Sequence, residues 1–185
     1  MYTRRQQFLQ HVAQTSPSPP GLDIESAKGV YLFDHNGKKY LDLISGISVS
    51  SLGHGHPEIL AAAKNQIDKH MHLMVYGEYV ISPQVALAKR LSELLPENLS
   101  TTYFTNSGTE AVEGAMKLAK RFTGRTNFVS FKNSYHGSTQ GALSLMGNEE
   151  FKQAFRPLLP DVNFINYNHL PDLEKINTQT AGVFI

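Results

Sequence analysis

From residue 83 onward, stretches with helical spacing of apolar residues alternate with short β-rich stretches, four of each, helix first. Parallel neighbours need a long crossover, usually a helix, and this order supplies one between successive strands. The alternation predicts an α/β fold built on a mostly parallel sheet with helices on both faces. Ser82-Pro83 opens the first helix, Leu87, Leu91 and Leu94 line it, and Pro96 stops it. Residues 101–105 read as a strand, and Ser107 to Phe122 as a helix closed by Gly124. Asn127–Phe131 is the next strand, followed by helical stretches near 139–146 and 149–156. A strand at 162–166, a short helix at 170–177 and an apolar strand at 181–185 complete the series.

The first fifty residues have another character. Arg4 and Arg5 with no acid through residue 22 resemble a transit peptide faintly, but Phe8, Leu9 and Val12 fit a short amphipathic helix better. Ser16-Pro17-Ser18-Pro19-Pro20-Gly21 is a stiff extended loop. Residues 29–34 and 39–43 flank Asn36-Gly37, the pattern of a β-hairpin. His56-Pro57 then opens a helix with Leu60, Ala63 and Ile67 on one side. The expected division is an arm and hairpin over residues 1–50, and the first part of a larger α/β domain over 51–185. A strand at the very end of a parallel sheet, with no helix after it, is the mark of a chain that is part of something longer.

Composition narrows the function classes. Seventeen Lys and Arg against sixteen Asp and Glu leave a net charge of +1, so no nucleic acid or anionic membrane is called for as partner. No apolar run approaches a membrane span, and a cytoplasmic protein is expected. Without cysteine there is neither disulfide nor thiolate chemistry. The pairs His54/His56 and His70/His72 suggest metal ligands, but no acidic or histidine partners stand at ligand spacing, so they read as structural.

Chemistry enters at Thr105-Asn106-Ser107-Gly108-Thr109-Glu110-Ala111-Val112-Glu113. Here a strand is expected to end and a helix to begin, so unpaired N–H groups and the positive end of the helix dipole face an anion. Gly108 lets that anion approach the backbone, and Ser107 and Thr109 bring hydroxyls. The same residues also fit a helix that caps itself, since Ser107 and Glu110 have capping-box spacing. A nucleotide P-loop does not fit, because no Lys-Ser/Thr follows the glycines.

The run Asn106 to Ala119 resembles the phosphate-binding helix of the class III aminotransferases, fold-type I enzymes that use pyridoxal 5′-phosphate (PLP). Tyr40-Leu41-Asp42, Ser45-Gly46 and Gly53-His54-Gly55-His56-Pro57 resemble the family's N-terminal signature. Ser134-Tyr135-His136-Gly137-Ser138-Thr139 resembles its aromatic–His–Gly turn. The resemblance spans roughly residues 20 to 185 and implies the first part of the family's large PLP-binding domain. It implies that Ser107, Gly108 and Thr109 hold the cofactor phosphate, mainly by backbone N–H groups, and that Tyr135 stacks on the pyridine ring beside His136. Glu113 would stand behind the cofactor. Gly46, Ile47 and Ser138 would border the substrate, and Tyr76 or Tyr79 would reach the site of a partner subunit in a homodimer.

The sequence also departs from the family. Many acetylornithine, ornithine and 4-aminobutyrate enzymes of the class carry Arg after the His-Gly, where its planar fork engages a carboxylate; here the residue is Ser138. None of the eleven lysines has the context of the Schiff-base lysine, and no acid matches the partner of the pyridinium nitrogen, so no catalytic residue is assigned. The implied function is amino-group transfer between an amine or amino acid and a 2-oxo acid in a parent enzyme of which this chain is an N-terminal piece, inactive by itself. The alternatives are a silent part-domain, a binding module for a phosphorylated ligand, and aminomutase, racemase or decarboxylase chemistry on the same fold.

Overall fold

The structure is a computed structural model that describes residues 2–74 and 77–185. The chain divides into two compact units, Met1–Val75 and Tyr76–Ile185.

In the first unit, helix α1 (Arg4–His11) starts with a reciprocal cap: Thr3 accepts from the Gln6 N–H and Gln6 from the Thr3 N–H. Three antiparallel strands follow in the order β1-β2-β3: β1 (Ile24–Lys28), β2 (Tyr31–Asp34) and β3 (Lys39–Leu41). The hairpin expected around Asn36-Gly37 joins β2 to β3, with Tyr31 opposite Leu41. Asp34 organises its turn: Oδ1 accepts the N–H groups of Asn36 and Lys38, both at 2.9 Å, and Oδ2 accepts the Tyr40 hydroxyl at 3.0 Å. Strand β1 carries no alternating apolar signal, because Ile-Glu-Ser-Ala-Lys is an edge strand with most side chains exposed. Beyond β3 comes a single turn, α2 (Ser45–Ser48), in which Ser45, Gly46, Ile47 and Ser48 all have positive φ. Helix α3 (Pro57–Lys69) begins with proline as expected.

The second unit opens with α4 (Ser82–Leu94). Residues 101–105 do not form the expected strand: they join no sheet among the described residues. A β-rich composition favours extended backbone, but a strand also needs a neighbour's free edge. Helix α5 (Gly108–Thr123) starts on Ser107 and ends on Gly124, whose φ of 68° is the left-handed cap that glycine adopts without cost. Then come β4 (Asn127–Phe131), α6 (Gln140–Leu145), β5 (Val162–Ile165) and β6 (Thr180–Phe184). The three strands are parallel, with β4 in the centre between β5 and β6. Residues 149–155 form two 3-10 turns rather than one α-helix, and 170–175 a third. Between the first two turns Lys152 is drawn inside. Its Nζ donates to the Met146 carbonyl at 2.7 Å, with the Phe164 ring 3.9 Å away, and that anchoring breaks the α-helical run.

The core of this unit sits where α5 and α6 meet the sheet. Met116, Phe128 and Leu145 are buried together, with Val112, Ala119 and Phe184 packed against them. Phe128 meets Phe184 edge to face at 5.6 Å. This packing fixes the start of α5 relative to the segment between β4 and α6.

Candidate cofactor site

Helix α5 presents its first turn in a partly self-satisfied state. Ser107 Oγ accepts the Glu110 N–H at 3.2 Å, and the Ser107 carbonyl accepts the Ala111 N–H at 3.1 Å. Glu110 does reach back, but its Oε2 accepts from the Asn106 N–H at 2.7 Å, one residue before the cap. The N–H groups of Gly108 and Thr109, the first two of the helix, have no acceptor within the helix. Because Ser107 Oγ acts as acceptor towards the helix, its own hydrogen stays available to a ligand. Capping and anion binding are therefore compatible: two N–H groups are spent on closure and two have no acceptor within the helix.

Gly108 has an ordinary backbone conformation, and a Cβ built on it would meet no protein atom within 4 Å. Nothing in the fold requires a glycine there; the lack of a side chain leaves the backbone bare to the space in front of it. That space is a cleft of about 500 Å³, bordered by Gly108, Thr109 and Val112 on α5 and by Tyr135, His136, Gly137 and Ser138 on the β4–α6 connection. The size suits a cofactor. Tyr135 is 68% exposed, and its hydroxyl lies 3.3 Å from Ser138 Oγ. These features fit the two ends of PLP: N–H donors for a phosphate, and an aromatic plate for a heterocycle.

Behind the cleft the side chains are tightly paired. Glu113 Oε1 accepts the Thr139 hydroxyl at 2.6 Å and the N–H groups of Gly141 and Ala142 at 2.8 and 3.1 Å. Burial opposes charge on Glu113, but these donors and nearby Lys117 outweigh it and hold the carboxyl below its usual range. His136 is half-buried, with Nε2 at 3.2 Å from Ser130 Oγ, whose hydrogen goes to the Leu145 carbonyl at 2.7 Å. Nε2 must then be the donor, which fixes the tautomer. Burial lowers the His136 pKa and favours this neutral form.

The structure thus brings Gly108, Thr109, Tyr135, His136 and Ser138 to one cleft, with Ser107 capping the helix at its edge and Glu113 supporting it from behind. Gly46 and Ile47 lie in the first unit, in the left-handed turn α2. There Asp42 Oδ1 accepts the N–H groups of Ile44 and Ser45 at 3.1 and 2.9 Å, and Oδ2 pairs with His54 Nε2 at 2.7 Å. Tyr79 is exposed, and Tyr76 lies outside the described residues. Sequence reasoning missed Thr139 and Gly141. The available signal was a threonine at a helix start with a glycine two residues on.

Comparison with known proteins decides the family. The profile described as aminotransferase class-III matches residues 12–183. The chain belongs to the class III aminotransferases. It is 42% identical over 176 residues to an acetylornithine aminotransferase of Archaeoglobus fulgidus, which covers 95% of this chain and 46% of the relative. In structure it is similar to the adenosylmethionine-8-amino-7-oxononanoate aminotransferase of Methanocaldococcus jannaschii, with a TM-score of 0.88 and 33% identity over 97% of this chain and 45% of that one. It is also similar to the taurine:2-oxoglutarate aminotransferase of Bifidobacterium kashiwanohense, solved in complex with PLP and glutamate. That match has a TM-score of 0.81 and 28% identity over 96% of this chain and 46% of that one. The α/β architecture is that of the fold-type I PLP transaminases, and PLP is the family's cofactor. The class III chain spans less than half the length of the curated relatives it matches. No helix among the described residues is long and apolar enough to cross a membrane.

Proposed function

We propose that the protein binds PLP in the cleft of the second unit and transfers amino groups between an amine or amino acid donor and a 2-oxo acid. The observation that carries this reading is the open space at Gly108, where two N–H groups without a helix acceptor border the same cleft as the exposed Tyr135. The N–H groups of Gly108 and Thr109 and the Ser107 hydroxyl would grip the phosphate, with the dipole of the sixteen-residue helix α5 adding to the attraction. Tyr135 would cover the ring and exclude water from that face, and Glu113 would keep the turn bearing Tyr135 in place. Bound there, the cofactor supplies an electron sink and a carrier for the amino group. The lysine and the acid that complete the chemistry would belong to residues outside these 185, and these residues alone would not turn over.

Relatives named acetylornithine aminotransferase make N-acetylornithine the first donor to assay. Ser138 offers a hydroxyl where a guanidinium fork would bind a carboxylate, so that carboxylate would need another partner. The reading includes a cytoplasmic homodimer, which light scattering on the purified protein tests.

The decisive experiment is Gly108→Val in the protein. A Cβ at this position meets no protein atom within 4 Å, so the melting temperature is expected to hold while PLP affinity falls at least about tenfold. Affinity equal to wild type would refute the phosphate site.

A further inference from the structure

Helix α6 begins at Gln140, and its N-cap residue Thr139 makes no side-chain cap of its own. The cap comes instead from α5: one oxygen of Glu113 collects the Thr139 hydroxyl and the N–H groups of Gly141 and Ala142, the second and third residues of α6. An ionised carboxylate only accepts, so the Thr139 hydrogen is directed to Glu113. Thr139 Oγ1 also lies 2.7 Å from Thr109 Oγ1, and with its own hydrogen engaged it must be the acceptor there. Thr109 and Glu113 stand four residues apart on α5 and so share a face. One threonine hydroxyl is therefore held between two successive turns of the phosphate-binding helix.

The close approach is built in. A Cβ on Gly137 would collide with the side chain of Thr109, and a Cβ on Gly141 with the carboxylate of Glu113. Gly137 also has a φ of 128°, which other residues rarely adopt. Gly137 lies in the connection that carries Tyr135 and Ser138 to the cleft and Gly141 in the first turn of α6, and both allow the close approach to α5.

We propose that Thr139, fixed by Glu113, is a positioning residue. It sets the distance between the two walls of the cleft, the N-terminus of α5 and the Tyr135–Ser138 turn, and thereby governs how the cofactor ring is held. This inference rests on the reading of the cleft as the PLP site and adds to it a residue pair that acts without touching the cofactor.

The test is a double-mutant cycle in the protein, with Thr139→Ala, Glu113→Ala and the pair, and with Thr139→Ser and Glu113→Gln as conservative replacements. PLP affinity is measured by titrating apo-protein, and ring orientation by the circular dichroism of bound PLP at saturation. Each alanine variant is expected to weaken PLP about tenfold and to reduce the dichroic band, with the double variant little worse than either single one. Thr139→Ser keeps the hydroxyl, and Glu113→Gln keeps an oxygen for all three donors, so both are expected within about twofold of wild type. They also control for any alanine variant that folds poorly. A residue that only stabilised the fold would shift the melt and leave the band of the saturated protein unchanged. That result, or losses that simply add, would overturn the proposal. If Gly108→Val binds PLP like wild type, the site reading falls and this inference with it. If Gly108→Val loses binding while the alanine variants keep wild-type affinity and signal, only the positioning role falls.

Discussion

His136 shows how one side chain ties the site to the conditions around it. Its Nε2 hydrogen is committed to Ser130, and its ring lies 6.0 Å from that of Phe184, edge to face. Burial pulls its pKa below the usual histidine value. The unfolded chain therefore takes up this proton more readily than the folded one. Stability falls as pH drops from about 6.5 through the folded pKa, and is unaffected by this group above that window. Replacing His136 with Phe keeps a ring beside Phe184 and removes the titration. Melting temperatures at pH 7.5 and 5.5 should differ less in His136→Phe than in wild type; an equal difference would show that this histidine contributes nothing. Gly141 makes a steric counterpart. Its alanine variant must move the Glu113 carboxylate, with an expected cost of about 1–3 kcal/mol in urea unfolding.

Helix α5 is where packing and chemistry share one element. Met116 is buried and Val112 and Ala119 pack beside it, while the first turn stays open to ligand. Loss of the Ser107 cap in Ser107→Ala is expected to cost about 1 kcal/mol of stability, since only the Glu110 N–H loses its acceptor. Chemical denaturation measures this directly. The boundaries of this helix were legible in the sequence because Ser107 and Gly124 are local signals that need no tertiary context. The same holds for Pro57, Pro83 and the Asn36-Gly37 hairpin. Strand β1 drew no reading and the 101–105 segment was read as a strand it does not form, because pairing at a sheet edge is a property of neighbours, not of composition. Around the cleft, the helix end at Ser107 and Gly108 was legible from helix-end physics, and Tyr135 was singled out by motif. Thr139 was not, since its partners stand 26 and 30 residues away on α5.

At the scale of the molecule, burial is unevenly shared. Among the described residues, every buried apolar side chain belongs to the second unit, and none of the first unit is buried. Large apolar side chains lie open in both units, with Leu43 and Ile47 at 84% exposure and Val80 at 92%. So much bare apolar surface favours association. The 185 residues expressed alone are expected to self-associate and to bind a hydrophobic dye. A monodisperse monomer with a sharp cooperative melt would contradict this. Hydrogen exchange on the same material should leave β4 and α6 the most protected and the first unit the least. The turn at Ser45–Ser48 places backbone strain in that first unit. Three side-chain-bearing residues, Ser45, Ile47 and Ser48, run there with the wrong hand for L-amino acids, at roughly 1–2 kcal/mol each. The segment is a wound spring, and the carboxylate of Asp42 is its catch. Releasing that catch would let the backbone unwind and swing Ile47 elsewhere, so a substitution at Asp42 would be felt most at residues it never contacts.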